Sequence, residues 1–230
     1  ALLEELVKQV ELMYRQKRAD GFIILYSETN DPVKDYLLKE KVPFVVVGAA
    51  VDNNDKVTYI DNDNKELGQE AVNFLRAKGH QKIGFVTDDL FGQVGQEHYQ
   101  GYIEATNEFN LETYPELVFS SRVIDSLIES LQSYQLTALI VKDDLIALRF
   151  IHWLNNQGIR IPEAYAIISF NNSIFAEIMH PFLTTYDINI KELGKESVQR
   201  LLDLLKNPQT KAQKITVPFR LIERESVSMG

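Results

Sequence analysis

Short, solid apolar runs, each followed by a helical stretch, set the strongest limit on how this chain can fold. They are "FIILY" (22–26), "PFVVVG" (43–48), "VTYI" (57–60), "KIGFVT" (82–87), "ELVF" (116–119), "TALIV" (137–141) and "AYAIISF" (164–170). A strand with one wet face alternates apolar and polar residues. These runs do not alternate, so they read as strands buried on both faces. That is the mark of parallel sheets with helices packed on each side. The segments between them carry helical spacing. Leu3, Leu6, Val7, Val10, Met13 and Tyr14 form one such stripe. Residues 31–41 form a short helix with Pro32 in its first turn. Asp63 opens the clearest helix, with Glu66 as its capping-box partner; Leu67, Ala71, Phe74 and Leu75 form the stripe and Gly79 the stop. Further helices are expected over 94–109, 123–134, 144–157 (ended by Gly158) and 192–206. The tail, 214–225, reads as one or two strands with Pro218 as a break. The polar patch 52–56 and the long segment 171–187 are the natural seams. The fold class is therefore α/β.

With 45% apolar residues in 230, the chain can bury a sizeable core, as one large domain or two small lobes. A net charge of −9 argues against a nucleic-acid surface on this piece, because phosphate binding needs clustered Lys and Arg. No apolar run is long enough to span a bilayer. The absence of cysteine excludes disulfides, thiolate metal sites and cysteine nucleophiles.

Open parallel sheets bind ligands beyond the carboxyl ends of their strands. Those ends carry Tyr26-Ser27, Gly48, Asp88-Asp89, Asp143-Asp144 and Asn171-Asn172. The paired asparagines have two readings. Asn is a turn residue, and its planar amide also both donates and accepts, as vicinal sugar hydroxyls do. Asp144 suits the N-cap of the helix that follows it. "FGQVGQ" (91–96) lacks a full phosphate-loop pattern and reads as a turn. There is no Gly-x-Ser-x-Gly elbow. The histidines His80, His98, His152 and His180 stand at no metal-ligand spacing, so neither a metal nor a cofactor is expected.

Three blocks carry a family likeness. "YIDNDNKELGQEAVNFLRAKGHQKIGFV" (59–86), "VKDDLIALRFIHWLNNQGIRIPEAYAIISFNNS" (141–173) and "HPFLTTYDINIKELGKESVQRLLDLL" (180–205) resemble, in order and spacing, the lactose/galactose repressor (LacI/GalR) family of transcriptional regulators. Within it, "IDNDN", "SFNNS" and "DIN" look most like the maltose-operon repressor branch. The resemblance implies a periplasmic-binding-protein type I fold, two doubly wound parallel-sheet lobes joined by three crossovers. One lobe would hold residues 1–60 and 188–215, the other 61–187 and 216–230. Ile60, Asp61, Asp187 and Ile188 would be hinge residues.

The same resemblance implies a small sugar effector held between the lobes, with no catalysis. The family's effector-contacting Arg falls at His98, its Asn-Asp pair at Asp143-Asp144 and its ligand-binding Asp at Asn171. The ligand set would be Asn171, Asp143, His98 and Gly48, with Phe91 or Tyr26 against the apolar face of a sugar ring. His98 departs from the family by replacing a five-donor fork with one or two donors. Implied partners are a maltose-like effector, a second copy in a homodimer, operator DNA through a helix-turn-helix headpiece, and, as a further candidate, a phosphocarrier co-regulator, all cytoplasmic with no membrane. The headpiece, hinge helix and opening strand-helix-strand of the family have no counterpart here. The sequence is therefore expected to be a fragment, or the ordered part, of a longer chain. Two other readings are a sugar-binding protein of a transport system with the same fold, and an enzyme on a doubly wound sheet, for which no motif speaks.

Overall fold

Each apolar run becomes a strand in the computed structural model, which describes residues 2–26, 30–51, 55–88, 92–120 and 124–230. The chain opens with α1 (Leu2–Arg15), β1 (Phe22–Ile24), α2 (Pro32–Lys39), β2 (Phe44–Val47) and β3 (Thr58–Asp61). It continues through α3 (Asn64–Ala77), β4 (Ile83–Thr87), α4 (Gln93–Glu108), β5 (Leu117–Val118), α5 (Ile124–Ser133) and β6 (Ala138–Val141). Then come α6 (Asp144–Asn156), β7 (Ala166–Phe170), α7 (Phe175–Ile178), β8 (Thr184–Asp187), α8 (Ile190–Lys206), β9 (Lys214–Thr216) and β10 (Arg220–Ile222).

Local chemistry accounts for many of the boundaries. Asp31 caps α2 by accepting from the amides of Val33 and Lys34, just ahead of Pro32 in the first turn. Asp63 caps α3 through the amide of Glu66. Gly79 and Gly158 follow α3 and α6 at positive φ, +100° and +76°, where a Cβ would be strained. The segment "GQVGQ" is not a turn: Gly92 caps α4, and residues 93–96 are its first turn.

The elements sort into two units, Ala1–Asn62 with Ile190–Val217, and Asp63–Asn189 with Pro218–Gly230. The chain passes between them after Asn62, Asn189 and Val217, each two residues beyond the expected boundary (60, 187 and 215). Hydrogen bonds prolong the first unit past its strands: Val217 N donates to Asp61 O at 2.8 Å and Asn62 Nδ2 to Val217 O at 2.8 Å. At Asn189, φ is +57° and the amide donates back to the Asp187 carboxylate, an Asx-type turn.

The first unit holds a parallel sheet, β1-β2-β3-β9. The second holds β10-β8-β7-β6-β4-β5, parallel except where β10 runs against β8. Here the solid apolar strands find their reason. Successive residues serve opposite layers. Phe85, Ile140, Ile168 and Phe170 pack with α3 and α4 through Leu67, Ala71 and Tyr102. Val86, Leu139, Val141 and Ile167 pack with α6 through Ile146, Phe150 and Leu154. The α3 and α4 backbones nearly touch. A Cβ on Gly68 would lie 2.0 Å from the His98 carbonyl oxygen, and one on Gly101 2.0 Å from that of Lys65.

One further expectation is corrected. Residues 171–187 are not a plain connection: they contain α7 and the strand β8, which pairs with β7. Thr184 and Thr185 are fully buried there. Their hydroxyls are satisfied internally, Thr184 by the Arg224 amide and Thr185 by Asp144, so the strand needs no apolar run. The tail forms two strands, β9 in the sheet of the first unit and β10 in that of the second.

Candidate functional site

In the second unit the strand order places β7, β6 and β4 side by side, so their carboxyl ends form one edge. Asp88 follows β4, Lys142 and Asp143 follow β6, and Asn171 follows β7. His98 joins them from α4, its ring stacked on that of Phe170 at a centroid distance of 4.0 Å.

His98 is 3% exposed, and neither ring nitrogen has a hydrogen-bond partner among the described residues. The Oγ1 of Thr87, last residue of β4, is also buried and without a partner among them. A native structure rarely leaves such groups unpaired without a use for them. Burial, and then the positive charge of Lys142, hold the His98 imidazole neutral, with its pKa pushed down to about 3. A neutral ring offers one donor and one acceptor. This has a consequence for stability. Below about pH 6.5 the unfolded chain protonates this residue and the folded one does not, so stability falls as pH falls. At pH 5 the loss is about 2 kcal/mol. We expect the melting temperature of the parent to fall more steeply between pH 7 and pH 5 than that of His98→Phe, in parallel thermal melts; equal slopes would contradict a buried neutral ring.

Asn171 takes φ +107° and Asn172 φ +49°, so both are turn residues in backbone terms. The amides then part company. Asn172 Oδ1 accepts from Arg224 at 2.8 Å, which fixes it as structure. The Asn171 amide makes no hydrogen bond among the described residues, while its backbone N–H donates to Tyr186 O at 2.9 Å.

The two aspartates exchange the roles expected of them in part. Asp143, not Asp144, is the N-cap of α6, accepting from the Ile146 amide at 2.8 Å. Its second carboxylate oxygen accepts no hydrogen bond among the described residues. Asp144 is 1% exposed and works as a buried hub. It accepts from Ser169 Oγ, from Thr185 Oγ1 at 2.8 Å and from the Ser173 amide at 2.6 Å. Burial raises its pKa, and these bonds oppose the rise.

Lys142 was not singled out by sequence. Its Nζ pairs with Asp88 Oδ1 at 2.6 Å, both side chains being four-fifths buried or more. The signal was there: Lys142 ends the same apolar run that pointed to Asp143. Thr87 gave no signal, since a threonine inside a strand is unremarkable.

The structure thus gathers His98, Asp143 and Asn171 on one edge. Tyr26 and Gly48 belong to the first unit. Tyr26 lies two residues past β1, half exposed. Gly48 follows β2 at φ +136°, with open space where a Cβ would stand. Phe91 lies outside the described residues. Of the hinge residues, Ile60 is buried in β3 and Asp61 ends it; Asp187 ends β8, paired with Arg220 at 3.1 Å, and Ile188 follows. Among the described residues there is no group of three metal-ligating side chains, and no helix long and apolar enough to cross a membrane.

Comparison with known proteins agrees with this architecture. Residues 72–227 match the family model described as a periplasmic binding protein-like domain. The structure of a putative transcriptional regulator LacI from Bacillus cereus subsp. cytotoxis superposes with TM-score 0.87 at 31% identity, covering 99% of this chain and 83% of that one. A probable maltose operon transcriptional repressor from Staphylococcus aureus gives TM-score 0.87 at 28% identity, covering 97% and 81%. The HTH-type transcriptional repressor PurR of Aliivibrio salmonicida is 28% identical over 224 residues, 94% of this chain and 66% of that protein. The chain spans about two thirds of the length of the curated relatives it matches. These relatives are transcriptional regulators, not enzymes. With two sheet units exchanging chain at three points, and with these matches, the chain belongs to the periplasmic binding protein-like domain family, among its LacI-type regulators.

Proposed function

We propose that this chain is the effector-binding and dimerisation core of a cytoplasmic LacI-type repressor that responds to a sugar, and that the sugar is maltose or a short maltodextrin. The observation that carries the reading is the set of idle two-way groups on one edge: the neutral His98 ring, the Thr87 hydroxyl and the Asn171 amide. Each both donates and accepts, as a sugar hydroxyl does. The free oxygen of Asp143 adds a strong acceptor. The maltose assignment draws on the maltose-operon relative, with the PurR likeness as its competitor. Operator DNA would be read by a headpiece outside these residues, which suits a net charge of −9. Transcriptional relatives favour the regulator over a transport protein. Pairing of two chains is supported by the family likeness and is checked by light scattering.

The effector reading is tested at Asn171. Its positive φ makes Asn171→Gly the clean variant, because glycine removes the amide and relaxes the backbone at once. We expect it to weaken maltose or maltotriose binding by about 1–3 kcal/mol in calorimetric titration, with no loss of melting temperature. Unchanged affinity would mean that the asparagine serves the turn alone.

A further inference from the structure

The charges along the binding edge bear on what kind of sugar it admits. Lys142 and Asp88 neutralise one another at 2.6 Å. The next cation along the edge, Arg220 beside the carboxyl end of β8, is paired with Asp187 at 3.1 Å. His98 contributes no charge, since burial and the neighbouring ammonium keep it neutral. Among the described residues that follow these strands, Asp143 is therefore left as the charge without an ion-pair partner, and it is negative. An anion arriving here meets a carboxylate first. To reach an ammonium it must break an ion pair that is mostly shielded from water, where separating charges costs far more than on the surface.

We propose that the Lys142–Asp88 pair is a specificity determinant that admits an uncharged, polyhydroxylated effector and rejects its phosphate ester. The proposal rests on the sugar-site reading above and adds to it a residue pair and a sign of charge. Asp88 is the active member, because it withholds the Lys142 ammonium from a phosphate. Burial, with Lys142 as the lesser contributor, keeps His98 a neutral two-way hydrogen-bonding group suited to hydroxyls. Two carboxylates thus disfavour an anion, Asp88 by occupying the cation and Asp143 by repulsion.

Calorimetric titration of the chain with maltose and with maltose 6′-phosphate tests this. The parent should bind maltose at least about tenfold more tightly than the phosphate ester. Asp88→Asn removes the carboxylate from beside the ammonium and should narrow that ratio by about tenfold, chiefly through tighter phosphate binding. A measurement on the parent alone guards against a variant that folds poorly. Added salt should narrow its ratio, because screening weakens the repulsion. Binding of the phosphate ester as tightly as maltose, or a ratio untouched by both Asp88→Asn and salt, overturns the charge proposal and leaves the sugar reading standing. Binding of neither sugar by the folded chain overturns both.

Discussion

Gly101→Ala is expected to destabilise the second unit by about 3 kcal/mol, against what helix propensity alone would give. Glycine inside a helix costs about 1 kcal/mol relative to alanine, so propensity favours the change. Contact forbids it. The new Cβ would sit 2.0 Å from the Lys65 carbonyl oxygen and 3.0 Å from the Gln69 amide nitrogen, both backbone atoms of α3. Neither can rotate aside, so α3 and α4 must separate and open the layer beneath them, which includes Leu67, Ala71 and Tyr102. Gly68→Ala should act likewise, since its Cβ would strike the His98 carbonyl at 2.0 Å. It should also weaken effector binding by displacing the residue that carries the ring. Gly194→Ala in α8 is the control: nothing lies within 4 Å, and it should stabilise by about 0.5–1 kcal/mol. Urea denaturation of the three variants decides the matter. A Gly101→Ala protein as stable as Gly194→Ala would show that the helices are not in backbone contact.

Asp144→Ala should cost about 3–5 kcal/mol, the range for removing one partner of a buried charged network. The carboxylate ties β7, β8 and the turn after Asn171 to the start of α6, through Ser169, Thr185 and the Ser173 amide. Alanine would strand all three donors in a dry site. Asp144→Asn should lose less, because one amide oxygen can still take the two hydroxyls while its NH₂ faces the Ser173 amide, donor against donor. The pH dependence has a definite sign. A carboxyl whose pKa is raised on folding contributes stability that is present at low pH and lost as pH rises through its folded pKa. The parent should therefore gain on Asp144→Asn as pH is lowered toward that value. Both variants should bind effector more weakly, since the Asn171 turn loses its anchor. An Asp144→Ala chain melting within a degree of the parent would refute the hub.

Much of the fold was legible because its signals are local. Asp63 and Glu66 stand three apart whatever surrounds them, and Gly79 and Gly158 mark the ends of their helices by backbone conformation alone. The solid apolar runs announced strands buried on both faces, because a residue and its neighbour in a strand must face opposite layers. Asp143 and Asp144 show where such reading stops. Either could cap a helix beginning near residue 144, and neither has a Glu or Gln partner three residues on to break the tie.

Secondary structure, its order and the parallel character of the sheets thus follow from sequence by itself, as does the row of polar residues at the strands' carboxyl ends. Tertiary structure alone decided which residues on that edge are free to act. Thr184 and Thr185 form a buried strand only because Arg224 and Asp144, about forty residues away in either direction, satisfy them. His98 is neutral only because Phe170 and Lys142 surround it. Lys142 is spent on Asp88 rather than on a ligand only because β4 and β6 are neighbours in the sheet. Helix periods and caps depend on a few adjacent bonds, whereas burial and charge pairing depend on groups that the chain brings together only when it has folded.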